Sequence, residues 1–230
     1  LTVAFFEASD LDDALARARG LMDPDLAEAF AESLRFFEPA YREIWKDGRV
    51  PAAFLDDVMR SPIRGGVADF LAGVARFLGV PAEHDPPPHV HLVPVPRDHG
   101  THAQAVGRHL LIEVRLGEGL REEVAPIVHE STHFLVERID PERMQALERA
   151  ALESGRSVRA WELLQEALPT AIAQGAAQRK FGGGQADGGP WYHRSDVDAY
   201  AKRILPAVET ALNAGAVLDA ALVQELVSHY

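Results

Sequence analysis

The stretch that most constrains this chain is Val124–Glu137, VAPIVHESTHFLVE. Apolar side chains flank its centre on both sides: Val124, Ile127 and Val128 before it, Phe134, Leu135 and Val136 after it. A helix that is apolar all round is buried, so the fold has to be built around this one. Yet the same stretch carries His129, Glu130 and His133 in the spacing HExxH. Polar groups buried without a shared partner are costly. Residues four apart lie on one face of a helix, so both imidazoles can reach one metal ion, and that ion removes the cost. Glu130 sits beside them around the helix and can hold a water on that metal. Zinc lowers the pKa of such a water to about 7, and a neighbouring carboxylate can take its proton during attack on a carbonyl. Two histidines four apart, with a glutamate after the first, are what this chemistry needs.

The chain contains no cysteine. Disulfides, thiolate metal sites and cysteine nucleophiles are therefore excluded, and a third metal ligand must be His, Asp or Glu. No histidine follows His133 until His193, so the HExxHxxGxxH arrangement of metzincins is absent. A better source is the run from Trp161 to Ala173. Between Leu163 and Ala173 the only charge is Glu166, and Glu162 precedes it by one turn. A carboxylate inside an otherwise apolar helix needs a reason, and metal ligation supplies one. Glu166 is the expected third ligand; Glu162 is the alternative, or a support for the site. The ordinary reading of either is a helix-boundary carboxylate facing water.

Around this centre the sequence reads as mostly helical α+β. Residues 8 to 80 have helical spacing, with start signals at Ser9-Asp10, Asp23-Pro24 and Ser61-Pro62 and stops at Gly20 and Gly79. Asp85-Pro86-Pro87-Pro88 is a breaker and the expected boundary between a helical region, 1–84, and a catalytic region, 85–230. Two alternating runs follow, His89 to Val95 and His109 to Leu116, the second with Leu110, Ile112, Val114 and Leu116 on one face. Helices are then expected over about 120–138, 141–154, 158–179 and 196–228, with a break near Gly215; Asp140-Pro141 and Ser157 are start signals. FGGGQADGGP, from Phe181 to Pro190, is a loop by composition.

His129, Glu130 and His133 with a downstream helical Glu-Ala resemble the gluzincin group of metallopeptidases, the thermolysin-like branch of the zincins. The string Gln165-Glu166-Ala167-Leu168-Pro169-Thr170-Ala171 is similar to the glutamate helix of predicted bacterial zinc peptidases. The likeness covers about Pro88 to Gly175 and continues more weakly to about Asp219. It implies a zincin-like core: a small sheet, an active-site helix and a glutamate helix that holds the third ligand, here Glu166. It also implies that the strand before the active-site helix, Arg108 to Leu116, is the sheet edge on which a peptide adds as a further strand. A Tyr or His opposite the metal donates to the developing oxyanion in such enzymes; Tyr192 and His193, after the glycine-rich loop, are the two candidates. The sequence departs from the thermolysin-like pattern in two places. The gap from His133 to Glu166 is longer, and Thr170 stands where that branch has an Asp that supports the first histidine.

The expectation is a zinc-dependent peptidase with Glu130 as general base. Two rivals use the same residues: a zinc-holding scaffold without turnover, and a zinc hydrolase of non-peptide amides or esters. Glu130 separates enzyme from scaffold, because a structural site has no use for a free carboxylate beside its histidines. A net charge of -12 is a poor match for nucleic acid. No stretch approaches the roughly 18 apolar residues of a membrane span. The chain opens at Leu1 and not at Met, which favours a periplasmic or secreted location without fixing it. Of the other histidines, His89 and His91 alternate on one strand face and form a secondary metal candidate. His84, His99, His102, His109 and His229 read as loop or surface residues.

Overall fold

The structure, a computed structural model, describes residues 5, 7–45, 49–81, 88–95, 102–115, 117–153, 155, 158–183 and 189–230. His84, His99, Leu116, Ser157, Asp85 to Pro87 and the centre of the glycine-rich loop lie outside them.

The N-terminal helices begin and end on the residues that local chemistry selects. Asp10 accepts from the backbone of Asp13 to cap α1 (Leu11–Arg19), and Gly20 follows it. Asp23 accepts from the backbone of Asp25 at the start of α2 (Pro24–Trp45). After α3 (Arg49–Arg60), helix α4 (Arg64–Leu78) stops at Gly79, whose φ of 70° is a left-handed cap that suits glycine.

Three strands form one small sheet in the order β1-β3-β2: β1 (His89–Pro94), β2 (Ala103–Val106) and β3 (His109–Val114). β1 runs parallel to β3, and β2 antiparallel to it across a tight turn that contains Gly107 at φ 57°. Leu110, Ile112 and Val114 share the face that packs on Phe54 of α3 and on Phe134. This is the alternation read from the sequence. The edge assignment needs correction. β3 is the central strand, paired on both sides, and the two edges are β1 and β2, of which the sequence reading did not find β2. Ala103, Gln104 and Ala105 have too little contrast between small and polar side chains to announce a strand. Pairing with β3 is what makes them one.

The remaining helices are α5 (Leu120–Val136), α6 (Pro141–Glu153), α7 (Val158–Thr170), α8 (Gln178–Phe181), α9 (Ser195–Ala214) and α10 (Ala220–Ser228). A π-helical segment, Ala171–Ala177, joins α7 to α8 and packs along α5. Val124 and Val128 of α5 are fully buried between α4, α7 and the π segment, as an all-apolar surround requires. The main core crosses residue 85. Val67, Val74, Phe77 and Leu78 of α4 belong to one cluster with Leu163, Ile172, Tyr200 and Ile204. The expected boundary at 84/85 therefore marks a connection, not a division of the packing.

The N-terminus of α5 is tied to α3. Asp57 accepts from Leu120 N at 2.8 Å, and Glu122 accepts from Gly119 N at 3.0 Å. A carboxylate there also faces the positive end of the helix dipole. The Asp57 carboxylate lies where a Cβ on residue 119 would stand. Gly119→Ala is expected to displace that cap and lower stability by about 1–2 kcal/mol. Denaturant unfolding of the variant and of Asp57→Ala measures it; equal stability to wild type for both would refute the cap.

Candidate metal centre

Helix α5 brings His129 and His133 onto one face, and α7 brings Glu166 against them. His129 Nε2 lies 3.0 Å from Glu166 Oε1 and 3.1 Å from His133 Nε2, and His133 Nε2 lies 3.4 Å from Glu166 Oε1. Two ligands of one metal, each at about 2.0–2.2 Å and set tetrahedrally, stand about 3.3 Å apart. The three donor atoms therefore already have the spacing of a coordination shell. Among the described residues, this is the one group of three histidine or acidic side chains whose donor atoms all lie within 4.8 Å. The group can hold a metal ion.

The electrostatics agree. Burial works against the Glu166 carboxylate, but hydrogen bonds from His129 and His133, the charge of His133 and a hydrogen bond from Tyr192 outweigh it. Glu166 is held well below the usual carboxylate range and stays ionised. Burial likewise opposes a charged His133, yet the bond to Glu166 and the charges of Glu166, Glu130 and Glu137 raise its pKa. Without a cation, a proton is drawn into the cluster. A metal ion supplies the same positive charge in its place.

Glu162, the alternative ligand, is excluded by rotation around α7. Its side chain is 58% exposed and pairs with Arg159 on the outer face. The backbone of α7 is fixed near the site by Thr170, whose Oγ1 donates to the Glu166 carbonyl at 2.8 Å. That hydroxyl does not support His129. The Nδ1 of His129 is buried and has no hydrogen-bond partner among the described residues.

These three side chains lie in an open cleft of about 490 Å³. Its floor is α5, with Glu130 beside the two histidines; one rim is His102 and the following β2 residues Ala103 to Ala105; the opposite wall is Tyr192 and His193. Glu130 is half-buried, lines the cleft and stands outside the three-donor group. The Tyr192 ring stacks against that of His129, with centroids 6.0 Å apart, and its hydroxyl faces Glu166. Burial, then the bond to Glu166 and its charge, push its pKa up to about 12, so the hydroxyl keeps its proton. His193 is exposed on the same wall, its ring against that of Tyr192. Asp198 on α9 holds this segment in place. It accepts from the backbone of Trp191 and Tyr192 and pairs with Lys202, which also donates to the Gly189 carbonyl.

Sequence reasoning missed three groups here. His102, read as a loop or surface residue, is exposed as expected but lines the cleft just before β2, and Gln104 of β2 lines it too. Gln174 projects from the π segment into the cleft, with its Oε1 buried and unpartnered among the described residues. Its signal was present: it is the only polar side chain between Ala171 and Ala177. π-helical turns often mark functional sites. His109, also read as surface, is buried at 5% exposure on the sheet.

The chain matches no protein-family model, no curated protein and no solved structure.

Proposed function

We propose that this chain is a zinc-dependent peptidase. The observation that carries the reading is Glu130: a carboxylate free of the ligand set, in the same cleft as His129, His133 and Glu166. Two imidazoles and one carboxylate form the donor set of catalytic zinc sites, which keep a position open, and structural sites are closed by a fourth ligand. Zinc bound there supplies a lowered pKa for water and polarises a carbonyl.

The chain's own side chains fill the other roles. Glu130 accepts a proton from the attacking water and passes it to the leaving amine. Tyr192, protonated and beside the ligands, donates to the oxygen on which charge develops. His193 is the alternative donor on the same wall. β2 favours a peptide over other amides. It is an edge strand of the sheet and it borders the cleft, so an extended peptide can hydrogen-bond along it as an added strand.

The test is a broad peptide library presented to the purified protein with and without a zinc chelator, with zinc then restored. Cleavage that stops with chelator and returns with zinc is expected. A protein that takes up zinc and cleaves no peptide supports the scaffold reading, and one that hydrolyses only small esters or amides supports the non-peptide reading.

A further inference from the structure

A second group of imidazoles lies on the sheet face turned away from Leu110, Ile112 and Val114. His89 of β1 stands in register with His109 of β3, and His91 is two residues further along β1. Alternation puts all three side chains on the same face. His91 Nε2 is 2.9 Å from His109 Nδ1. The His91 and His109 ring centroids are 5.2 Å apart, and those of His89 and His109 are 5.4 Å apart. At the first site the corresponding values are 3.1 Å between the two imidazole nitrogens and 4.8 Å between centroids. The two histidine pairs are thus almost equally open.

We propose that His91, His109 and His89 form a second transition-metal site, distinct from the cleft. His109 is buried and fixes the geometry, His91 is half-buried, and His89 is exposed. The first two already present nitrogens at ligand separation. His89 completes the set by turning about its side-chain bonds, which its exposure permits. A metal ion replaces the hydrogen between His91 and His109: the donating ring moves its N–H to its other nitrogen, both lone pairs point inward, and no net proton is released. A site built from imidazoles without thiolate suits zinc, copper or nickel. Access is open, because His91 lines a cavity of about 760 Å³ under α1 and α2 whose wall includes Asp10 and Glu38.

This site does not depend on the proposed activity, and its test separates the two. The full chain is titrated with Zn²⁺ by equilibrium dialysis, followed by elemental analysis. Wild type is expected to bind two equivalents, one tight and one weaker. His91→Gln should lose the weaker equivalent and keep the tight one, and exposed His89→Ala should weaken it without affecting the fold. His129→Ala with His133→Ala should do the reverse, and the remaining site, loaded with Cu²⁺, should show nitrogen hyperfine structure from imidazoles by electron paramagnetic resonance. Circular dichroism checks that each variant is folded. The proposal is overturned if wild type saturates at one equivalent that the His129/His133 variant abolishes, or if folded His91→Gln still binds both. If a single equivalent is bound that only His91→Gln abolishes, this site stands and the cleft reading fails.

Discussion

Glu130→Gln is expected to keep its zinc and its fold while turnover drops by about 10²–10⁴, the usual cost of losing an acid–base group. That loss is about 3–5 kcal/mol of transition-state stabilisation. Glu130 lines the cleft but is not among the three converging donors, and an amide has nearly the shape of a carboxylate. The loss should fall on kcat and spare KM, because the group acts on the attacking water and the leaving amine. The pH profile gives a second check. In the metal-free site His133 has a raised pKa, through burial overcome by the Glu166 hydrogen bond and nearby carboxylates. The proton must leave before the metal binds, so zinc affinity falls as pH drops through that raised value. Wild-type activity is therefore lost on the acid side, and zinc content measured across the same range shows how much of that loss is metal release. A Gln variant that arrives without zinc would place Glu130 in the coordination shell and refute its role as base.

The parts of this site that sequence revealed are those whose signal is local. His129, Glu130 and His133 sit on one turn of one helix. Glu166 is conspicuous because its neighbours are uncharged, and Asp10, Asp23 and Gly79 mark helix ends within a few residues of themselves. The strand face of Leu110, Ile112 and Val114 follows from a period of two. What was not legible depends on pairing between distant segments. β2 becomes a strand only against β3, and it is this edge strand that borders the cleft. The Asp85–Pro88 breaker is a strong local signal, yet α4 before it buries Phe77 and Leu78 in the same core as α7 and α9. No residue spacing shows that Asp57 of α3 caps α5, or that Asp198 of α9 pins Tyr192. His109 reads as a surface residue alone and is buried because β1 lies beside it.

The sharpest test of the site's geometry compares two glutamates one turn apart. Glu166→Ala is expected to weaken zinc binding at the cleft by more than about 10²-fold, since even changes behind the ligands cost about 10–100-fold. Glu162→Ala should leave affinity nearly unchanged. The difference comes from a rotation of α7 alone. Glu166 Oε1 lies 3.0 and 3.4 Å from the two imidazole nitrogens, and its carboxylate stays ionised there because their hydrogen bonds overcome the burial that opposes it. Glu162 faces outward, mostly exposed, with Arg159 at 3.7 Å; an exposed pair of this kind contributes at most about 1 kcal/mol to stability. Both substitutions replace a glutamate by a good helix former, so loss of helix does not explain a selective effect. Competition with a chelator of known affinity reads both constants, and the fold is followed in parallel. Glu166→Gln adds a finer arm: it keeps an oxygen donor in place but removes the negative charge, so its affinity should fall between wild type and Glu166→Ala. Equal loss from Glu162→Ala and Glu166→Ala, or the reverse order, would remove Glu166 from the ligand set and with it the three-donor centre on which the peptidase reading stands.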